Sequence, residues 1–246
     1  MNPPSSGRRS TVLPGSEDKR TAVVEMFDRI AGEYERVNRV ISLGLDRRWR
    51  RTTVDSLGLA PGSFVLDLAC GTGDISRILA VKGLRVVGVD LSQNMLRHAG
   101  RSGVVVRADV SRLPVADAVA DGITCGFALR NLVDLPVFFS ECERALRPGG
   151  RLAAVDAATP TSLPARVGHL MWFGHVVPWL GAAVDSAGPY RYLPESLRRL
   201  PPRPRFREAL VRAGFSRTEA RTQSLGIVTA FLAEAGPAPP APRQSS

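Results

Sequence analysis

The stretch FVLDLACGTGDISRILA, from Phe64 to Ala80, decides the fold because it joins an apolar strand, a glycine-rich turn and a helix. Asp67 lies within the strand, Gly71, Thr72 and Gly73 form the turn, and an apolar periodicity typical of a helix follows. Glycines in such a turn let a ligand approach the backbone closely. In a doubly wound sheet, ligands bind beyond the carboxyl ends of the strands. The stretch therefore predicts an α/β fold with a small-molecule site directly after its first strand.

Strands and helices alternate through most of the remaining chain. Further strands are predicted in RVVGVD, VVVRADV, DGITCGF and RLAAVDA, and helices in SQNMLRHA and LPVFFSECERAL, the second stopped by the following Pro-Gly-Gly. A helix in FREALVRAGF then precedes two closing strands, RTEARTQSL and GIVTAFLA. Near-continuous apolar runs in the strands are typical of a parallel sheet covered on both faces. We predict a Rossmann-like, doubly wound, mostly parallel sheet of seven strands.

One globular domain is expected at residues 21–234. Residues 21–60 form its N-terminal helical cap, since apolar side chains recur at helical spacing from Val23 to Val37 and a second helix surrounds Trp49. Residues 159–200 form an apolar insertion, which is either a packed helix pair or a lid over the site. The basic segment 1–20 and the proline-rich segment 235–246 lack periodicity, so we expect both to be disordered.

The composition excludes several classes of function. The formal net charge is +10, but the basic residues are spread out and only 6% of residues are aromatic, so no nucleic acid is expected as a partner. We find neither an apolar run of spanning length nor a secretory signal and expect a cytoplasmic protein. The positive charge is compatible with peripheral contact with an anionic membrane surface. The three cysteines lack zinc spacing, and no metal site is expected.

The turn itself discriminates between ligands. A dinucleotide fingerprint, G-x-G-x-x-G, sets a pyrophosphate on the N-terminus of the next helix. Here Ser76 replaces the third glycine, and Asp74 puts a negative charge in the first turn of that helix. A dinucleotide dehydrogenase is therefore disfavoured, and a cationic or zwitterionic ligand is favoured. S-adenosylmethionine fits, because it carries a sulfonium and an amino group but no phosphate, and VLDLACGTG resembles the first motif of class I methyltransferases.

Two more carboxylates are placed for that cofactor. Asp90 ends the second predicted strand, 23 residues (90 − 67) after Asp67, about where an acidic residue binds a ribose diol. Asp109 ends the third predicted strand, where methyltransferases of this class place a residue beside the adenine amino group. The candidate cofactor-binding residues from this motif and these strand ends are Asp67, Gly71, Thr72, Gly73, Asp90, Leu91, Asp109 and Val110.

Segments on both sides of this site resemble the C-methyltransferases of quinone biosynthesis, the UbiE/MenG family of demethylmenaquinone and ubiquinone type. The resemblance lies in YERVNRVISLGLDRRW, GFALRNLVD, RALRPGGRLAAVDAATP, HVVPWLG, YRYLPESL and REALVRAGF, and it spans about Thr21 to Thr229. It implies a class I methyltransferase fold. It also adds Asn131 and Gly126 to the candidate cofactor-binding residues; relatives often carry a cofactor-contacting serine at the position of Gly126. Glu35 and Asp46 stand where members often have other residues.

The resemblance implies methyl transfer to a ring carbon of a reduced, prenylated quinol, a lipophilic substrate of the demethylmenaquinol kind. A ring carbon becomes nucleophilic when a phenolic proton leaves, so a base or an ordered water must lie near the quinol hydroxyl. His175 is the candidate base. Tyr34 and Asn38 are candidates for orienting the quinol oxygen, and Arg130 for stabilising either a quinolate or an internal carboxylate. Asp46 is expected to pair with nearby arginines.

Two other functions are open at this level. The departures on the acceptor side favour a related methyltransferase that acts on another small lipophilic metabolite, and a screen of quinols against unrelated acceptors separates the two. A protein that binds S-adenosylmethionine without catalysis is the alternative of another class. Release of S-adenosylhomocysteine with any acceptor excludes it.

Overall fold

The computed structural model describes residues 16–100, 103–172 and 203–237. Within them the strands are β1 (Phe64–Leu68), β2 (Arg85–Asp90), β3 (Val104–Arg107), β4 (Ala120–Gly126), β5 (Leu146–Ala157), β6 (Phe215–Gln223) and β7 (Val228–Ala235). They form one sheet of seven strands in the order β3-β2-β1-β4-β5-β7-β6. The strands β1 to β5 pair in parallel, whereas β7 is antiparallel to β5 and β6. The predicted mostly parallel α/β fold is confirmed.

Helices flank the sheet. In the described part of the chain they are α1 (Ser16–Ile30), α2 (Tyr34–Ile41), α3 (Leu45–Ser56), α4 (Asp74–Val81), α5 (Gln93–Ala99), α6 (Leu135–Ala145), α7 (Leu163–Met171) and α8 (Arg203–Arg212). Two short 3-10 turns, Leu129–Asn131 and Ser224–Gly226, follow β4 and β6.

The strand β1 lies at the centre of the sheet, between β2 and β4. Leu66 is aligned with Val87 of β2 and with Ile123 of β4. Val65 and Leu66 are both fully buried, because helices cover both faces of the sheet and the strand therefore needs no polar face. The carboxyl ends of these parallel strands meet at one edge, where the loops after them bring the candidate residues together.

Two apolar clusters hold the helices on the sheet. On one face, Leu66 belongs to a cluster with Phe138 of α6 and Phe206 of α8. On the other face, Val65 packs with Leu79 of α4 and with residues of α3. Neighbouring residues of β1 thus contribute to opposite clusters, as the alternation of side chains along a strand requires.

The N-terminal helical region departs from the prediction in two ways. The disorder predicted for residues 1–20 is wrong for residues 16–20, because α1 begins at Ser16. The periodic run of apolar residues is divided between two helices, since α1 ends at Ile30 and the backbone N–H of Glu33 closes a turn on the Ile30 carbonyl at 3.0 Å. The turn lets α1 pack on α5, where the Asp28 carboxylate accepts hydrogen bonds from the Ser92 hydroxyl and the Asn94 N–H.

Three predicted boundaries also shift. The strand β3 ends at Arg107, so Asp109 lies two residues beyond the strand instead of at its end. The helix α6 ends at Ala145, before the Pro-Gly-Gly segment, and that segment lies within β5. The two closing strands are present, each within two residues of its predicted bounds.

The predicted insertion at residues 159–200 lies mostly outside the described residues, and so does His175. The described part of this insertion contains α7. The Trp172 indole N–H donates to the Ile41 carbonyl at 3.1 Å, and this bond attaches the end of α7 to α2. Across the described ranges, no helix combines the length and the apolar character needed to cross a bilayer.

Candidate functional site

The loop after β1 adopts a backbone conformation that its glycines permit. Gly71 and Gly73 have φ angles of +56° and +85°, in the left-handed region that side chains disfavour. The Gly73 N–H donates to the Cys70 carbonyl at 2.9 Å, and the Cys70 N–H donates to Val89 of β2 at 3.0 Å. These bonds fix the turn to the neighbouring strand and to the start of α4.

Asp67 lies beneath this loop, not at its surface. Its carboxylate is 1% exposed and accepts hydrogen bonds from the hydroxyls of Ser76, at 2.6 Å, and Thr124, at 2.8 Å. Burial raises the pKa of Asp67 to about 6, against the lowering effect of the two hydroxyls. Asp67 thus joins β1, α4 and β4 and is not part of the cleft lining, and its contact with the cofactor stays a prediction. Ser76, at the place of the third glycine, supplies one of the two donors.

Asp90 lies at the end of β2 with its carboxylate oriented by two backbone N–H groups. One oxygen accepts from Gly71 at 2.8 Å and the other from Ser92 at 2.8 Å. Burial is the main cause that raises the pKa of this carboxyl. Asp109 accepts from the Ser111 N–H at 2.8 Å and forms an ion pair with Arg20 of α1 at 2.9 Å.

A cleft beside this loop, called here the glycine-loop cleft, collects most of the candidate residues. Seven of the ten candidate cofactor-binding residues line it: Gly71, Asp90, Leu91, Asp109, Val110, Gly126 and Asn131. Tyr34 of α2 lines it as well. Asp67, Thr72 and Gly73 are not part of its lining, and Thr72, which is 3% exposed, borders a separate groove on the side of α2 and α3.

The helix α1 covers this cleft, which sequence reasoning missed. Arg20, Val23, Val24 and Phe27 all line the cleft. The apolar spacing of Val23 and Phe27 is the signal that was available, but the same spacing is typical of a helix that packs on a core. Only the turn after Ile30 directs this face toward the cleft.

Asn131 offers the cleft an unused acceptor. Its side chain is 8% exposed, and its Oδ1 atom is buried without a hydrogen-bond partner among the described residues. A buried unpaired acceptor costs free energy unless a ligand or water supplies a donor. Gly126, also in the cleft, lies so close to the Ile75 side chain that a Cβ would meet its Cδ1 at 2.5 Å. A larger residue at this position therefore requires the end of the Ile75 side chain to shift.

A second cavity, called here the aromatic chamber, adjoins the cleft. Its volume is about 490 Å³, within the range of roughly 300–1,000 Å³ of small-molecule sites. Trp49, Phe127 and Trp172 contribute aromatic walls, and Asn38 and Arg130 contribute polar groups. Tyr34 and Phe127 line both cavities, so the boundary between the cleft and the chamber lies at these two rings.

Phe127 occupies this boundary in a strained conformation. Its φ of +61° places a bulky residue in the left-handed region, which costs on the order of 1–3 kcal/mol. The Phe127 N–H donates to the Val155 carbonyl at 2.7 Å, its ring lies 6.2 Å from that of Trp49, and the Arg50 guanidinium is 4.9 Å from its centroid. Contacts from α3 and β5 together hold the ring in place.

Arg130 is paired with a carboxylate inside the protein. It forms an ion pair with Asp156, whose side chain is completely buried, and it also donates to the Phe127 carbonyl at 2.8 Å. The Arg130 backbone N–H donates to the same carboxylate at 3.0 Å. Of the two roles predicted for Arg130, the contacts show the one with an internal carboxylate, and Asp156 offsets the positive charge that faces the chamber.

The remaining candidates are distributed as follows. Asp46 is buried and pairs with Arg50, as predicted, and the Ser42 hydroxyl donates to it at 2.9 Å. Asn38 lies in the chamber. The described residues contain no cluster of histidine, cysteine and acidic side chains with the geometry of a metal site.

Comparisons with known proteins all indicate a methyltransferase. The model of the "ubiE/COQ5 methyltransferase family" matches residues 15–234. The chain is 38% identical to a ubiquinone/menaquinone biosynthesis C-methyltransferase of Syntrophotalea carbinolica, over 84% of this chain and 91% of the relative. It is 40% identical to a demethylmenaquinone methyltransferase of Mycobacterium sp. (strain KMS), over 86% and 93%. The fold is similar to that of a Haemonchus contortus phosphoethanolamine N-methyltransferase solved with S-adenosyl-L-methionine, with a TM-score of 0.58 and 17% identity over 76% of this chain and 52% of that one.

Proposed function

This chain belongs to the ubiE/COQ5 methyltransferase family and is an S-adenosylmethionine-dependent methyltransferase, and from that premise we propose that it methylates a ring carbon of a demethylmenaquinol-like prenylated quinol. The observation that carries the proposal is the meeting of two cavities at Tyr34 and Phe127. The cleft, with the carboxylates of Asp90 and Asp109, suits the cofactor, and the aromatic chamber suits the ring of a lipophilic acceptor. Methyl transfer requires the two reactants to face each other at about 3–3.5 Å.

The cleft contains groups that fit the cofactor. When bound, S-adenosylmethionine supplies a methyl group on a positively charged sulfonium. We propose that Asp90 binds the ribose diol and that Asp109 accepts from the adenine amino group. The unpaired Oδ1 of Asn131 is available for the ammonium group of the methionine part, which has donors and needs acceptors. No phosphate-binding donor set is required, in agreement with Asp74 at the start of α4.

The chamber contains groups that suit a quinol. We propose that Tyr34 and Asn38 orient the quinol oxygen. We also propose that the ion pair of Arg130 with Asp156 fixes the position of the Arg130 charge beside the quinol ring. His175 is the proposed base, on the strength of its sequence context alone. Tyr34 and Phe127, at the boundary, are proposed to keep water out of the line of transfer, since charge is neutralised there and a dry site favours the reaction.

We further propose peripheral contact with a membrane, because a prenylated quinol resides in the bilayer and must reach the chamber from there. The mouth of the chamber is then expected to face the lipid surface.

The test is a methyl-transfer assay with purified protein, S-adenosylmethionine and a reduced, short-chain demethylmenaquinol. We expect S-adenosylhomocysteine and a ring-methylated product in equal amounts, identified by mass spectrometry. A demethoxy-benzoquinol and an unrelated catechol are run in parallel as competing acceptors. Turnover of the catechol with no turnover of either quinol would show that the acceptor is another lipophilic metabolite.

A further inference from the structure

Two leucines at the mouth of the aromatic chamber are strained and exposed at the same time. Leu43, between α2 and α3, has a φ of +52° and is 71% exposed. Leu225, between β6 and β7, has a φ of +58° and is 84% exposed. A bulky side chain rarely adopts the left-handed conformation, and strain of this kind concentrates at functional sites. Both side chains line the chamber although they come from segments far apart in the sequence.

The surrounding structure holds each leucine in this position. The Gly44 N–H donates to the Arg39 carbonyl at 2.8 Å, which closes the turn that carries Leu43. The hydroxyl of Ser224, next to Leu225, accepts a hydrogen bond from the Trp49 indole at 2.9 Å. The two leucines are therefore presented at the surface by hydrogen bonds of the fold.

Further exposed apolar side chains surround the same opening. Leu45 at the start of α3 lines the chamber and is partly exposed. The helix α7, whose Pro164 and Gly168 also line the chamber, exposes Leu163, Val167, Leu170 and Met171. Large exposed apolar groups that gather at one place indicate a binding surface, whereas scattered ones do not.

The helices α2 and α3, which both contribute to the chamber, also carry four arginines, called here the cationic flank: Arg39, Arg47, Arg48 and Arg51. Within the described residues none of the four forms an ion pair, whereas the neighbouring Arg36 and Arg50 pair with Glu33 and Asp46. The Nε of Arg39 is buried without a hydrogen-bond partner there. Arg39, Arg47 and Arg51 line one groove between α2, α3 and α4. The three carboxylates in the same groove, those of Glu35, Asp55 and Asp74, pair with Arg77 and Lys82. Positive charge next to exposed leucines is complementary to anionic headgroups above an acyl layer.

We propose that Leu43, Leu225 and the cationic flank form a docking surface for an anionic phospholipid bilayer, with the mouth of the aromatic chamber held against the lipid. The two leucines enter the boundary between headgroups and acyl chains, and the arginines bind lipid phosphates. This inference rests on the proposed function, because it gives the route by which a lipophilic acceptor reaches the chamber. A nucleic acid offers the same phosphates but no acyl layer for the leucines.

The test is flotation of the purified full-length protein with vesicles of phosphatidylcholine alone and of phosphatidylcholine with about one third phosphatidylglycerol. Neither cofactor nor quinol is added, so a failure to bind leaves the methyl-transfer proposal standing. Loss of methyl transfer with intact vesicle binding would count against the proposed function alone. We expect binding to the mixed vesicles that weakens as salt is added, and little binding to phosphatidylcholine.

Two pairs of variants separate the contributions. Arg47→Gln with Arg51→Gln is expected to weaken vesicle binding about 30-fold, since each cation near such a surface contributes about a fivefold factor. Its control is Arg205→Gln with Arg217→Gln, two exposed arginines on α8 and β6 without an ion pair in the described chain. Leu43→Gly with Leu225→Gly is expected to weaken binding at least tenfold while leaving the unfolding temperature unchanged or raised, because glycine relieves the φ strain.

Four results would overturn the proposal. The first is equal binding to both kinds of vesicle, and the second is equal loss in the flank and control variants. The third is tight retention of a DNA or RNA oligonucleotide that the leucine variants leave unchanged, together with weak binding to vesicles. A fall in the unfolding temperature of the glycine variants would show that the leucines serve the fold, and would equally remove the argument.

Discussion

The glycine-loop cleft and the aromatic chamber touch at Tyr34 and Phe127, but they are built in different ways. In the cleft, the polar groups are oriented by backbone: Asp90 accepts from the N–H groups of Gly71 and Ser92. In the chamber, the walls are held by side chains from distant elements, such as Trp49 bonded to Ser224 and Arg130 paired with Asp156. Hydrogen bonds from backbone N–H groups persist when neighbouring side chains are substituted, whereas a pair of side chains is lost when either partner is substituted. The cofactor site is therefore expected to be constant, and the acceptor site to be open to change.

The largest effect is expected where the chamber depends on its buried ion pair. Asp156→Ala leaves the Arg130 charge buried without its partner, and the free energy of unfolding should fall by about 3–5 kcal/mol, measured by urea denaturation. The control is Asp117→Ala, which removes the exposed partner of Arg144 and should cost at most about 1 kcal/mol. The double variant Asp156→Leu with Arg130→Met is expected to recover most of the stability. A cost for Asp156→Ala as small as that of the control contradicts our account of the chamber.

The pH dependence of the free energy of unfolding tests the role of Asp67, which lies beneath the glycine loop. Burial raises the pKa of Asp67 from 3.8 to about 6, so the folded protein binds this proton more tightly than the unfolded chain does. Stability from this group is therefore fully present below about pH 4, falls as the pH rises from about 4 to about 6, and is constant above. The full change is on the order of 3 kcal/mol.

The measurement is the free energy of unfolding of the natural protein minus that of Asp67→Asn, taken between pH 4 and pH 7. Other titrating groups contribute to both curves and cancel in the difference. The difference should decline across this interval in the direction just given. A difference that rises with pH would mean that Asp67 is stabilised as a carboxylate by its two hydroxyl donors.

The next effect distinguishes the two cavities directly. Asp90→Asn weakens the proposed hydrogen bond to the ribose diol, and S-adenosylmethionine should bind about tenfold to a hundredfold more weakly, since a charged hydrogen bond contributes about 1.5–3 kcal/mol. Calorimetry gives the dissociation constant. The matched variant in the chamber, Asn38→Ala, is expected to raise KM for the quinol without changing cofactor affinity. If Asn38→Ala weakens cofactor binding as much as Asp90→Asn does, the two cavities are not separate sites.

The sequence was most informative where one short segment determines the geometry. The strand around Asp67, the glycine turn and the end of β2 at Asp90 are local features, and their positions follow from parallel strands ending at one edge. The closing antiparallel strands were equally visible, because their apolar patterns are local as well.

Contacts between distant segments were not predictable in the same way. Nothing near Arg130 in the sequence identifies Asp156 as its partner, although an internal carboxylate was one of the two roles predicted for Arg130. Val23 and Phe27 have the spacing of a core helix, and only the turn after Ile30 places them over the cleft. The strained Phe127 and Leu225 have no signal in sequence at all, because neither is a residue type that favours a positive φ.

The smallest effect concerns α1, which covers the cleft but does not contribute to the backbone N–H groups that orient Asp90. Arg20 pairs with Asp109 at 2.9 Å with side chains 45% and 23% exposed, and such a pair contributes roughly 0–1 kcal/mol. In our proposal the same carboxylate accepts from the adenine amino group, so Arg20 competes with the cofactor for it. Arg20→Ala should therefore tighten S-adenosylmethionine binding by up to about fivefold at low salt. The gain should disappear toward 1 M salt, where the screening length is about 3 Å.

Arg29→Ala is the control for this variant, because Arg29 lies on the same helix but bonds only to the Glu25 carbonyl in the described contacts. It should leave cofactor affinity unchanged at every salt concentration. A loss of affinity in Arg20→Ala, in place of a gain, would mean that Arg20 contacts the cofactor itself. The cleft would then share the dependence on side chains that distinguishes the chamber, and α1 would belong to the binding site instead of competing with it.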